Sequence, residues 1–123
     1  MLAEDYVSFE VAKLLKEKGF NTPCMGRYSV RSKEFHLDCT RMCNNGGLFD
    51  CAAPSHQMTK KWLREVHKIF IEVYAERAYN YNDIIFNLEI WDRNLNLIWK
   101  DGSFTTYEQA CEAAIKYCLE NLI

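Results

Sequence analysis

Apolar residues recur along the chain in helical stripes and alternating runs, and these set the predicted elements. Over residues 7–20, Val7, Val11, Leu14 and Leu15 follow the i, i+4, i+7, i+8 spacing of one buried helix face, with Glu10, Lys13 and Glu17 on the other side. Ser8 is placed to cap this helix, since its hydroxyl accepts from a first-turn amide that lacks an intrahelical partner. Gly19 supplies the left-handed position past the end, Phe20 folds back onto Leu15 as in a Schellman motif, and Pro23 prevents the helix from resuming. Residues 25–37 turn extended, with Tyr28 and Val30, then Phe35 and Leu37, forming a short hairpin around Ser32-Lys33. Residues 38–54 show no periodicity and contain the turn signal Asn44-Asn45-Gly46-Gly47, which predicts a long loop.

A second helix is predicted over 55–67, capped by Ser55, with Met58, Thr59, Trp62, Leu63 and Val66 on one face. The period then drops from 3.6 to 2. Strands are predicted over 69–76, with Ile69, Ile71, Val73 and Ala75 inward, and over 83–92, with Ile84, Phe86, Leu88 and Ile90 inward. A third is predicted over 95–100, with Leu95, Leu97 and Trp99 inward and Asp101-Gly102 as its end. Thr106-Tyr107-Glu108-Gln109 fits a capping box that opens the last helix. Its stripe is Tyr107, Cys111, Ala114, Ile115, Cys118 and Leu122, with Glu112 and Lys116 set as an i, i+4 pair on the far side. The predicted fold is α+β: a three-stranded antiparallel meander, a short N-terminal hairpin, and about three helices packed on one face in a two-layer sandwich.

The 123 residues predict a single domain spanning 1–123, and 49% hydrophobic with 26% charged residues describes a foldable chain. A formal charge of −2 gives no overall attraction to nucleic acid or anionic lipid. No apolar run approaches the roughly 20 residues of a membrane helix. The acidic Met1-Leu2-Ala3-Glu4-Asp5 lacks a signal-peptide layout, so the expected location is the cytoplasm, where thiols stay reduced. Six cysteines are too few for a disulfide scaffold, and Cys111 and Cys118 read as small core residues.

Three blocks of the chain carry a family resemblance. The first is Glu4-Asp5-Tyr6-Val7-Ser8-Phe9-Glu10 with Ala12-Lys13-Leu14-Leu15-Lys16-Glu17-Lys18-Gly19-Phe20. The second is Ala53-Pro54-Ser55-His56-Gln57-Met58 with Trp62-Leu63-Arg64-Glu65-Val66-His67, and the third runs from Tyr107-Glu108-Gln109-Ala110 to the closing Tyr117-Cys118-Leu119-Glu120-Asn121-Leu122-Ile123. Together these blocks resemble short proteins of gut Bacteroidetes and their phages or mobile elements. The resemblance implies an intracellular protein of prophage or mobile-element origin and carries no established activity with it. Residues 36–51 lie outside the matching blocks.

Four kinds of chemistry have candidate residues in the chain. His36, Cys39, Cys43 and Cys51 place four zinc-type ligands within 16 residues, although the paired short spacings of structural zinc sites are missing. Lys60, Lys61, Arg64 and Lys68 make the second helix basic and lead into a hairpin, as in a winged-helix nucleic-acid module. Residues 71–123, with four basic against nine acidic residues, oppose that reading. His36, His56 and His67 are the general-base candidates, but no nucleophile elbow, phosphate loop or metalloprotease motif accompanies them, so no catalytic residue is assigned. Finally, the outward meander face carries Phe70, Tyr74, Ile85, Trp91 and Ile98, with Tyr79 and Tyr81 beside it, residue types enriched at interfaces. The functional expectation is a small non-enzymatic binding or accessory protein without a cofactor. It uses that aromatic face to form a homo-oligomer or bind a protein partner; the zinc loop and the nucleic-acid helix are the alternatives.

Overall fold

A computed structural model describes residues 4–38 and 42–123. The elements are α1 (Phe9–Glu17), β1 (Gly26–Ser29), β2 (Phe35–Leu37), β3 (Asp50–Ala52), α2 (His56–Val66), β4 (Phe70–Arg77), β5 (Ile84–Trp91), β6 (Leu97–Phe104) and α3 (Tyr107–Asn121). They build two open antiparallel sheets, β2-β1-β3 and β4-β5-β6, so the fold is α+β with the meander and the N-terminal hairpin in place. The hairpin gains β3, a three-residue strand inside the segment predicted to be irregular. A strand that short cannot display alternation.

Local signals act at the helix ends. Ser8 Oγ accepts from the Val11 amide and Ser55 Oγ from the Met58 amide. Gly19 has φ 90°, the Phe20 amide donates to Leu15 O at 2.9 Å, and the Gly19 amide to Lys16 O at 3.3 Å, which completes the Schellman motif. Thr106 caps α3 through the Gln109 amide, but the Gln109 side chain accepts from the Thr105 hydroxyl, so the capping box is half made.

The core lies where α3 crosses the meander, with α2 against β4 and α3, and α1 against α3 and β3. Leu88 and Ile90 of the central strand are fully buried beneath Ala114, Ile115, Cys118 and Leu119. At the edge, Trp99 stacks on Tyr117 with ring centroids 4.0 Å apart. Among the described residues no helix is long and apolar enough to cross a membrane.

Several side chains depart from the predicted faces. In β6 the register passes from Ile90↔Trp99 to Trp91↔Leu97, so Ile98 is an extra residue. One inserted residue reverses the alternation upstream of it. Leu97 therefore joins Trp91 on the outer face, and Leu95 sits exposed in the turn with φ 60°. Asp101-Gly102 is a second irregularity rather than a strand end. Ser103 has φ 64°, its amide donates to Asn87 Oδ1, and a Cβ on Gly102 would collide with that same oxygen. Beyond this bulge the strand resumes, with Phe104 opposite Phe86. Ala75 and Ile84, predicted inward, are exposed at the far end of the β4–β5 hairpin. In α2 the buried face is His56, Thr59 and Leu63, while Met58 and Val66 are exposed. The predicted Glu112–Lys116 pair is replaced by two tertiary pairs, Glu112 with His56 and Lys116 with Glu10.

Candidate functional site

Residues 5–7 run antiparallel to residues 54–56. The Val7 amide donates to Pro54 O, the His56 amide donates to Asp5 O at 2.8 Å, and Tyr6 bridges Ser55. This strap brings Glu4 and Asp5 beside the first turn of α2. The first turn of α3 arrives from the other side and places Tyr107 next to Lys60. Between them lies a cleft of about 470 Å³, whose walls include Gln57, Lys60, Lys61 and Arg64 of α2, Tyr107 of α3, and Glu4 and Asp5 of the strap.

Beneath the cleft, Nε2 of the buried His56 donates to Glu112 Oε2 at 2.6 Å. The other carboxylate oxygen of Glu112 accepts the Ser8 amide at 3.0 Å. One carboxylate thus ties the N-cap of α1, the start of α2 and the middle of α3. Burial pushes this carboxyl up, but the His56 and Ser8 hydrogen bonds overcome it and hold Glu112 below its ordinary value. A depressed carboxyl stabilises the fold fully above its unfolded value of about 4.3, and that stabilisation is lost as pH falls through the lower folded value. Glu112→Ala is therefore expected to cost about 2 kcal/mol at neutral pH by leaving buried donors unpaired. Urea unfolding should show this gap between wild type and variant closing below about pH 4.

Lys60 is half-buried and donates to the Tyr107 hydroxyl at 2.9 Å, with Cys111 Sγ 3.8 Å away and the Tyr107 ring centroid at 5.2 Å. Burial works against its ammonium, but Tyr107 and Cys111 more than offset this, so Lys60 titrates above its usual value and is a firm cation. Burial likewise pushes the Cys111 thiol up despite the nearby ammonium, so it is no ready nucleophile at neutral pH. Among the described residues the side chains of Lys61 and Arg64 have no hydrogen-bond or ion-pair partner, nor do the carboxylates of Glu4 and Asp5. The site therefore presents three cations on a concave wall, two of them uncommitted, with acidic groups at the end nearest the α2 N-terminus.

The predicted site residues are distributed as follows. Of the nucleic-acid candidates, Lys60, Lys61 and Arg64 meet in the cleft, whereas Lys68 lies past the end of α2 and donates to Glu65 O. Of the zinc candidates, His36 opposes Arg27 and Cys51 opposes the next residue, Tyr28, so they occupy opposite faces of the small sheet. Cys43 is paired with Cys24, and Cys39 lies outside the described residues. His67 ends α2 against the Trp62 ring, and His36 is exposed on β2. On the outer meander face the register sets Phe70–Trp91–Leu97 in one row, then Glu72–Glu89–Lys100, then Tyr74–Asn87, then Glu76–Ile85. A charged row therefore separates Phe70 and Trp91 from Tyr74 and Ile85, while Ile98 sits at the bulge beside the first row.

No family model, curated protein or solved structure matches the chain.

Proposed function

We propose that the protein is a small binding protein whose cleft takes a compact oxyanion of the phosphate-monoester or pyrophosphate type. The observation that carries this reading is the pair of partnerless cations, Lys61 and Arg64, beside the half-buried Lys60 on one concave wall. Arg64 offers a planar fork suited to two phosphate oxygens, and Gln57 and Tyr107 add neutral hydrogen-bonding groups. Glu4 and Asp5 close one end with negative charge, which disfavours a long polyanion running out of the cleft and favours a short ligand held within it. His56 is committed to Glu112 and the Cys111 thiol is held protonated by burial, which supports binding rather than catalysis.

The test is thermal unfolding with pyrophosphate at fixed ionic strength. A ligand at ten times its dissociation constant should add about 1.4 kcal/mol, a rise of roughly 5 °C for a chain of this length. Equal midpoints in pyrophosphate and in chloride would sink the reading.

A second reading rests on the Phe70–Trp91–Leu97 row, which spans all three strands at one end of the open sheet face. It fits a second copy of the chain. In a two-fold contact the row packs on itself, and Lys100 meets the like-charged Glu72 and Glu89 of the other copy. Sedimentation of wild type and Trp91→Ala checks this: a dimer that the variant loses supports it, and a monomer in both ends it.

A further inference from the structure

Cys24 and Cys43 face each other across an isolated antiparallel bridge, with each amide donating to the other residue's carbonyl at 2.7 Å. Residues that exchange both bonds in this way have Cα atoms about 5.5 Å apart, inside the window of about 4.4–6.8 Å that a disulfide spans. Directly opposed residues also project their side chains from one face of the pair. The two thiols presently donate to nearby carbonyls, Cys24 to Thr22 O and Cys43 to Asn44 O, so turning them toward each other is a matter of side-chain rotation. The far side of the 42–50 loop is already latched. Asn45 donates to Phe20 O at 2.7 Å and accepts the Ala52 amide at 2.8 Å, and Lys16 donates to the carbonyls of Gly47 and Asp50.

We propose that Cys24 and Cys43 are a thiol–disulfide site, closed by exchange with a small-molecule disulfide such as oxidised glutathione, and that the bond clasps the 42–50 loop to the entry of β1. The more accessible Cys43 loses its proton and attacks one glutathione sulfur. Its S–S bond breaks, one glutathione thiolate leaves, and a mixed disulfide remains on Cys43. The Cys24 thiolate then attacks the Cys43 sulfur and expels the second glutathione. Two protein thiols are oxidised to one disulfide, one glutathione disulfide is reduced to two thiols, and the two protons end on the released glutathione. Burial pushes both thiols up, Cys24 to about 11, so the exchange should quicken as pH rises toward those values.

The experiment treats the full chain with oxidised glutathione, quenches it, and maps linked peptides by mass spectrometry while titrating free thiols. The expected result is a Cys24–Cys43 linkage, a loss of two titratable thiols, reversal by dithiothreitol, and an unchanged outcome in Cys51→Ser. Cys43→Ser should abolish the linkage, and Cys24→Ser should stop the reaction at glutathione on Cys43. Mapping of the wild type decides the matter even if a variant folds poorly. A wild-type bridge from Cys43 to Cys39 or Cys51, an unresolved glutathione adduct on Cys43, or no reaction overturns the proposal.

Discussion

Phe20→Ala is expected to lower the unfolding free energy by about 4 kcal/mol, the range for truncating a fully packed aromatic side chain. Among the described residues Phe20 is the largest side chain with no exposed surface. Its amide closes the Schellman end of α1, its carbonyl receives Asn45 from the 42–50 loop, and its ring meets Trp62 of α2 edge-on at 5.3 Å. Removing the ring opens a cavity where α1, α2 and the 42–50 loop meet. The Schellman end and the Asn45 bond hold the backbone in place there, so collapse around it is restricted. Urea and thermal unfolding should report the loss, with a midpoint roughly 15 °C lower. Phe20→Leu should recover more than half of it, since the apolar volume is largely kept. A change below about 1 kcal/mol in the alanine variant would mean that this junction does not pack as described.

The second large effect belongs to the cleft. Reversing both free cations, Lys61→Glu with Arg64→Glu, is expected to weaken pyrophosphate binding by at least roughly 100-fold. Each hydrogen bond to a charged group contributes about 1.5–3 kcal/mol, and the new carboxylates would repel the ligand. The same pair of changes should alter stability without ligand by less than about 0.5 kcal/mol, because both side chains are exposed and without a partner. That contrast separates a binding role from a structural one. Neutralising the other wall, Asp5→Asn with Glu4→Gln, should move affinity the opposite way and strengthen the site. Isothermal titration calorimetry on the three proteins reads the affinities and urea unfolding reads the ligand-free stability; unchanged affinity in the reversed variant would remove the cleft from consideration.

The sequence made the helices legible because their signals are local. Ser8, Ser55 and Thr106 act as N-caps, and Gly19-Phe20 ends α1 in the predicted way. The meander was readable for the same reason, since alternation in β4 and β5 survives pairing. What was not readable depends on partners distant in the chain. A bulge at Ile98 turned Leu97 outward, and its position is a matter of register against Trp91, not of the run Leu95-Asn96-Leu97 itself. Asp101-Gly102 has turn chemistry but meets Asn87 and forms a bulge instead.

The candidate site was half legible. Lys60, Lys61 and Arg64 stood out as a basic helix face, and what converts that face into a cleft is the strap carrying Glu4 and Asp5 together with Tyr107 of α3. The Glu112–His56 pair that fixes this geometry joins residues on different helices. Its only sequence trace was a histidine in a first helical turn and a glutamate opposite the apolar stripe of α3. The aromatic face was legible as a set of residue types but not as rows. Phe70, Tyr74, Ile85, Trp91 and Ile98 share strands with Glu72, Glu89 and Lys100, whose row falls between them once the strands are in register.

The most direct test of the cleft is a backbone-amide NMR titration of the reduced protein with pyrophosphate at fixed ionic strength. The predicted result is a saturable set of shifts confined to residues 55–64, Tyr107 and the strap at Glu4 and Asp5. Shifts that never saturate, or that centre on Phe70, Trp91 and Leu97, would contradict it.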